Sequence, residues 1–288
     1  MDLSDRMKFY EGLACGDNDR LMPLVPACAR LDGRAFHSFC RGLHKPFDIG
    51  LVTLMQETAR YLLATANATV AYTQSDEITL VWTQDDFDSQ RFFDGRVCKM
   101  TSLLAAMASV FFNKHVALAL PQKKGCDPLF DCRVWSVPTL EESANVLVWR
   151  ELDAVRNSIQ MLAQSLYSPN QLHRKNCDQL QEMCWQAGHN WNSLSDELKR
   201  GSYFRRVKVV RPFTASELDK LPPKHEARAN PNLQVERTDY QRVRIPPLTR
   251  IDNRCDVLFR GADPIVTVLA RGLDLSGVRP KEQVPCPP

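Results

Sequence analysis

Two stretches of this chain end a strand-like apolar run on an aspartate: Arg30-Leu-Asp-Gly-Arg-Ala-Phe-His-Ser-Phe39 and Ala71-Tyr-Thr-Gln-Ser-Asp-Glu-Ile-Thr-Leu-Val-Trp82. The glycine after Asp32 and the serine before Asp76 leave the backbone open to close approach by a ligand. Two carboxylates at neighbouring strand ends can clamp divalent metal against a triphosphate, which points to phosphoryl or nucleotidyl transfer. That chemistry needs a fold in which the two strand ends lie side by side.

The pattern around them supplies one. Residues 24–31 read as a first strand stopping at Asp32-Gly33, and Ala35 to Arg41 as a short helical turn. An amphipathic helix follows from an Asp48 cap to about Ala66, with Ile49, Val52, Met55, Ala59 and Leu62 at helical spacing. The segments Thr69–Thr73 and Ile78–Trp82 form a hairpin whose tip carries Asp76 and Glu77. A helix over 91–113 and a strand over 130–137, closed by Pro138, complete a β-α-β-β-α-β order. This is the ferredoxin-like arrangement, an α+β fold with an antiparallel sheet and helices on one face.

Beyond it, a long helix runs from Leu140 to about Tyr167, a polar helix covers 170–187, and 195–211 is a turn entering a basic strand. From about 214 the chain is Pro-rich and charged, an arm that regains apolar character at Asp256-Val-Leu-Phe259. The expected division is 1–140, 141–213 and 214–288.

Composition narrows the partners. The net charge is only +3, so any nucleic-acid contact depends on local clusters of Lys and Arg. Ten scattered cysteines form no CxxC pair and the start lacks an apolar signal region. Reduced thiols in a cytoplasmic protein are expected, without structural zinc. No run is read as reaching the roughly 18 apolar residues of a membrane span, so no membrane partner is expected.

Each candidate has a plain structural alternative. An Asp at a strand end commonly caps a helix or forms a turn, and it is the topology that makes Asp32 and Asp76 neighbours. Glu77 alternates from Asp76 and should face away or act in the outer sphere. Lys45 is either a solvated charge or a phosphate contact. Arg96 and Lys99 share one helix face, which solvation alone also explains. His37, beside Phe36 and Phe39, reads as structural. In 199–208, Tyr203 and Phe204 can stack bases while Arg205, Arg206 and Lys208 meet phosphates; a charged edge strand is the competing account.

The segments at 30–39, Lys45-Pro-Phe-Asp, Tyr72-Thr-Gln-Ser-Asp-Glu, Phe130-Asp-Cys-Arg-Val, Trp149-Arg-Glu-Leu-Asp and Lys199-Arg-Gly resemble the tRNA-His guanylyltransferase superfamily of 3′-to-5′ nucleotide polymerases. Asp5-Arg-Met-Lys-Phe-Tyr-Glu11 is similar too, and Ile245-Pro-Pro-Leu-Thr is a weaker echo. The resemblance implies a polymerase palm in 1–140. It implies two Mg²⁺ held by Asp32, Asp76 and the Gly33 carbonyl. It also implies nucleotide contacts from Arg34, His37, Lys45, Ser75 and Glu77. Arg96, Lys99 and Asn157 would take a second triphosphate or the tRNA 5′ end, and Lys199, Arg200, Arg205, Arg206 and Lys208 the tRNA body.

The implied reaction is attack by the 3′-hydroxyl of an NTP on an activated tRNA 5′ end, with ATP or GTP activating a 5′-monophosphate. The implied assembly is a homotetramer. One departure bears on substrate. Eukaryotic members carry His-Ile-Asn-Asn-Leu-Tyr-Asn where this chain has Val155-Arg-Asn-Ser-Ile-Gln-Met161. Sequences of this second type resemble the bacterial and archaeal branch, associated with template-dependent repair of 5′-truncated tRNA. The alternatives are a dedicated tRNA-His guanylyltransferase adding a single G, and a palm-like tRNA-binding protein without catalysis, against which Asp32 and Asp76 both argue.

Overall fold

A computed structural model describes residues 19–84, 86–87, 91–230 and 232–266. The similarity at 5–11 and the tail of the arm lie outside these. Strands β1 (Ala27–Gly33), β2 (Val70–Gln74), β3 (Glu77–Trp82), β4 (Phe130–Ser136), β5 (Ser202–Pro212) and β6 (Gln234–Val243) form one sheet in the order β4-β1-β3-β2-β5-β6, antiparallel throughout. The first four are in ferredoxin-like order, and the palm-like fold is the one expected.

Helices α1 (Ile49–Thr65) and α2 (Val97–Ala119) cover one face. There Leu31, Ile78 and Leu80 pack with Leu54, Leu62, Leu104 and Phe112. The alternate strand residues Cys28, Val70, Tyr72 and Val81 point the other way, onto Leu147 and Ala154 of α3 (Leu140–Leu166). Both faces are thus buried, and with them every position of β2 and β3, the polar Thr73, Gln74, Glu77 and Thr79 included. Each Leu so buried contributes about 1.5–3 kcal/mol.

Caps fix the helix starts. Asp48 accepts from the Leu51 amide at 3.2 Å, as the sequence predicts, and Thr139 accepts from Glu142 at 3.2 Å. The second helix begins later than the expected residue 91, because Phe93, Asp94 and Gly95 all take positive φ, and it continues to Ala119. The polar helix is likewise shorter, α4 (Cys177–Gln186), after a left-handed Arg174.

Two expectations change. The chain after 214 does more than lie on the palm: β6 pairs with β5 along its length, and Leu248, Ile251, Val257 and Leu258 complete the core under α3. And α2 is, by length and composition, apolar enough to cross a membrane, contrary to the reading of the sequence. Met100, Leu104, Ala108, Phe112 and Val116 are nonetheless buried against the sheet.

Candidate functional site

The site lies where β1 runs into the one-turn helix Phe36–Phe39 and β2 turns into β3. β1 and β3 are neighbours, with Asp32 opposite Glu77. Just past that pair the Gly33 N–H donates to the Asp76 carbonyl at 3.1 Å, tying the two tips together. Ser75 makes the tight turn with φ 49°, and its hydroxyl donates to Asp76 Oδ1 at 3.0 Å. Space demands Gly33: a Cβ there would stand 2.2 Å from Phe36 Cδ2, and Phe36 is wedged among Phe39, Phe112 and Phe130.

Burial, and then the neighbouring Asp32 carboxylate, push the Asp76 carboxyl above its ordinary range. Among the described residues no cation pairs with either side chain. Two like charges with only oxygen donors suit a hard divalent cation such as Mg²⁺. Among the described residues no three His, Cys, Asp or Glu side chains converge.

Glu77 shares the sheet face of Asp32 and is neutralised separately. Its carboxylate accepts from Arg150 Nε at 2.6 Å and stands 3.9 Å from Arg30 Nε. Asp153 accepts from the same guanidinium at 2.6 Å and from Asn157 Nδ2 at 3.5 Å. Arg150 and Asp153 lie in the Trp149-Arg-Glu-Leu-Asp segment, to which the sequence assigns no role. The available signal was a charged residue on the buried stripe of α3, between Leu147 and Ala154.

Next to the acid pair a cleft opens between the 43–52 segment and α3, lined by His44, Lys45, Phe47, Ser75, Asn157 and Met161. It brings Lys45 and Ser75 together as predicted. Asn157 belongs here too, and not with Arg96 and Lys99. Arg34 and His37 are exposed on the turn after Asp32. Cys40 also lines the cleft, where burial and then Asp76 push its thiol up to about 11.

Arg96 and Lys99 line a different cleft with Arg91. Arg91 bonds the Val25 carbonyl at 2.7 Å, near the start of β1, whereas Phe112 packs on Phe36 near its end. The helix from 96 to 112 spans roughly 24 Å. Within one chain this cleft is therefore remote from the acid pair.

The basic stretch is corrected more strongly. Tyr203 and Phe204 are buried and cannot stack bases; the Tyr203 hydroxyl donates to Glu151 at 2.9 Å. Over Ser202–Arg205 β5 is paired with β2, and from Tyr203 on with β6 as well, so the edge-strand account fails there; from Val207 onward it pairs with β6 alone. Arg200 is held by Asp196 at 3.0 Å and Arg205 by the Val257 carbonyl at 2.7 Å. Lys199 bonds the Asn192 carbonyl at 3.1 Å. Arg206 and Lys208 are exposed, on Asn67 and Glu236.

Residues 4–138 match the family model described as tRNAHis guanylyltransferase. Among solved structures, a bacterial tRNA(His) guanylyltransferase-like protein in complex with ATP aligns with a TM-score of 0.66 at 34% identity, covering 72% of this chain and 87% of that one. A bacterial tRNA(His) guanylyltransferase-like protein in complex with GTP gives 0.65 at 28% identity, covering 86% and 94%. The tRNA(His) guanylyltransferase of Schizosaccharomyces pombe is 29% identical over 160 residues, 53% of this chain and 56% of that protein.

Proposed function

Since the chain belongs to the tRNAHis guanylyltransferase family, and so is a tRNA 5′-end nucleotidyltransferase, we propose that it performs Mg²⁺-dependent, template-directed repair of 5′-truncated tRNA. The observation that carries the reading is the tying of Asp32 and Asp76 through the Gly33–Asp76 backbone bond, with both carboxylates left without a cation among the described residues. Asp32, Asp76 and the Gly33 carbonyl would hold two Mg²⁺, which when bound lower the pKa of an attacking 3′-hydroxyl and neutralise departing pyrophosphate or AMP.

The chain's own groups bind and orient. Lys45 sets a point charge in the cleft for triphosphate oxygens, and Ser75 offers a hydroxyl beside it. Asn157, held by Asp153, presents its amide to the same space. Arg34 and His37, exposed on the turn after Asp32, would add nucleotide contacts from that side. The two bacterial relatives bind ATP and GTP, which supports either as the activating nucleotide for a 5′-monophosphate.

Template-directed repair is favoured by Val155, which stands where the eukaryotic histidine would be and packs against the apolar joint of α3 and α4. A dedicated tRNA-His guanylyltransferase is the second reading, favoured by the name of the fungal relative. Labelled NTPs, Mg²⁺, tRNAs lacking their first 5′ nucleotide and full-length tRNA-His separate the two. Extension dictated by the opposing 3′ strand supports repair, and labelling of tRNA-His alone supports the second. Activity that survives Asp76→Ala sinks both. Light scattering tests the homotetramer proposed with them.

A further inference from the structure

An exposed tryptophan stands beside the acid pair with no role in the site as so far described. Trp149 keeps 48% of its surface. The Arg150 guanidinium lies 4.3 Å from its ring centroid and that of Arg30 5.6 Å. Both guanidiniums also reach the buried Glu77 carboxylate, Arg150 at 2.6 Å and Arg30 at 3.9 Å. Both are thus gathered on the Glu77 side of Trp149, while about half of the tryptophan's surface stays open to solvent. Arg30 shares a sheet face with Asp32 and precedes it by two residues, about 7 Å along the strand. Arg30 thus links the indole to the sheet face that carries Asp32.

The surroundings suit a polyanion. Arg133 lies opposite Arg30 on β4 and Arg156 two turns along α3, with 56% and 41% of their side chains exposed. Each touches one carboxylate, Asp131 at 3.7 Å and Asp153 at 2.6 Å, a contact that uses part of the five N–H donors a guanidinium carries. A flat apolar surface flanked by guanidiniums binds a nucleobase through its π-face and the backbone through its phosphates.

We propose that Trp149 is the platform on which the exposed base at the 5′ end of the tRNA acceptor stem stacks, with Arg133 and Arg156 meeting the adjoining phosphates. This rests on the tRNA-directed function proposed above and adds the surface that presents the 5′ end to Asp32 and Asp76.

The test titrates the full chain with a short acceptor-stem hairpin RNA and, separately, with ATP, using Trp149→Ala and Trp149→Phe. Trp149→Ala is expected to lose roughly ten- to hundredfold in RNA affinity, with a matching rise in KM for RNA. ATP affinity and the melting temperature should stay unchanged, and Trp149→Phe should recover most of the loss. Unchanged RNA affinity in Trp149→Ala overturns the proposal, as does an equal loss of ATP binding or a change in oligomeric state, which would make Trp149 a subunit contact. RNA binding that needs Trp149 in a protein that extends no tRNA would sink the proposed reaction and leave the platform standing.

Discussion

Arg150 Nε donates to Glu77 Oε1 at 2.6 Å, and both side chains are only 7% exposed. Because Glu77 faces Asp32 across β1 and β3, the guanidinium keeps a third unpaired carboxylate away from the acid pair. Removing one partner leaves the other charged and buried, which costs more than the pair itself is worth. Arg150→Met should therefore destabilise the fold by about 3–5 kcal/mol, while Arg150→Met with Glu77→Leu recovers most of it. Urea denaturation of the double-mutant cycle measures this; strictly additive losses would contradict it.

Asp76 carries the opposite strain. Burial and Asp32 raise its pKa in the folded state. A group raised on folding contributes stability that is present below its unfolded pKa and lost as pH rises through its folded pKa. At pH 7 without divalent cations, Asp76→Asn should thus melt higher than the parent, by roughly 2–4 °C if the relief is about 1 kcal/mol. The advantage should vanish below about pH 4, where the parent is protonated. Saturating Mg²⁺ should reverse it by stabilising only the parent. The variant should also lose nucleotide incorporation. A parent that melts higher than Asp76→Asn at pH 7 in chelator would count against a repelling pair.

Asp32, Ser75 and Asp76 were legible in the sequence because alternation, turn residues and strand order are local or nearly local properties. Glu77 was half legible: its partner Arg150 lies 73 residues away, and only the packing of α3 across the sheet joins them. Tyr203 and Phe204 misled because alternating basic and aromatic residues look alike on an edge strand and an inner one. The difference is made by β6, whose ten residues lie beyond a Pro-rich stretch that reads as an arm. Arg96 and Lys99 do share a cleft, as their spacing suggests. Their distance from the acids follows from the direction of α2 along the sheet, which no local pattern encodes.

Gly33 is predicted to tolerate no side chain. A methyl group there meets Phe36 at 2.2 Å, and Phe36 is 2% exposed with no room to retreat. Relief must come from a shift of β1 or of the aromatic cluster, at about 1–3 kcal/mol. Gly33→Ala should lower stability by that amount and, by moving the tip bonded to Asp76, lower kcat more than it raises KM for NTP. Normal kinetics in a folded Gly33→Ala protein would show that the tip geometry is not critical.

Glu151 fastens the C-terminal segment. It is 3% exposed, and its two oxygens accept from the Tyr203 hydroxyl at 2.9 Å and the Leu248 amide at 2.8 Å. Burial pushes its carboxyl up, and the two hydrogen bonds and Arg200, 3.8 Å away, pull against that. Glu151→Ala orphans two buried donors, each costing about 1–3 kcal/mol. The loss should fall unevenly, since the amide anchors 245–260, whereas Tyr203 is also held by the ladder with β2. Hydrogen exchange should therefore quicken across 248–258 well before β1 or β3. Glu151→Gln keeps an oxygen for Leu248 and should restore most of that protection. Uniform exchange across the sheet in Glu151→Ala would mean that the segment is held by its apolar contacts alone.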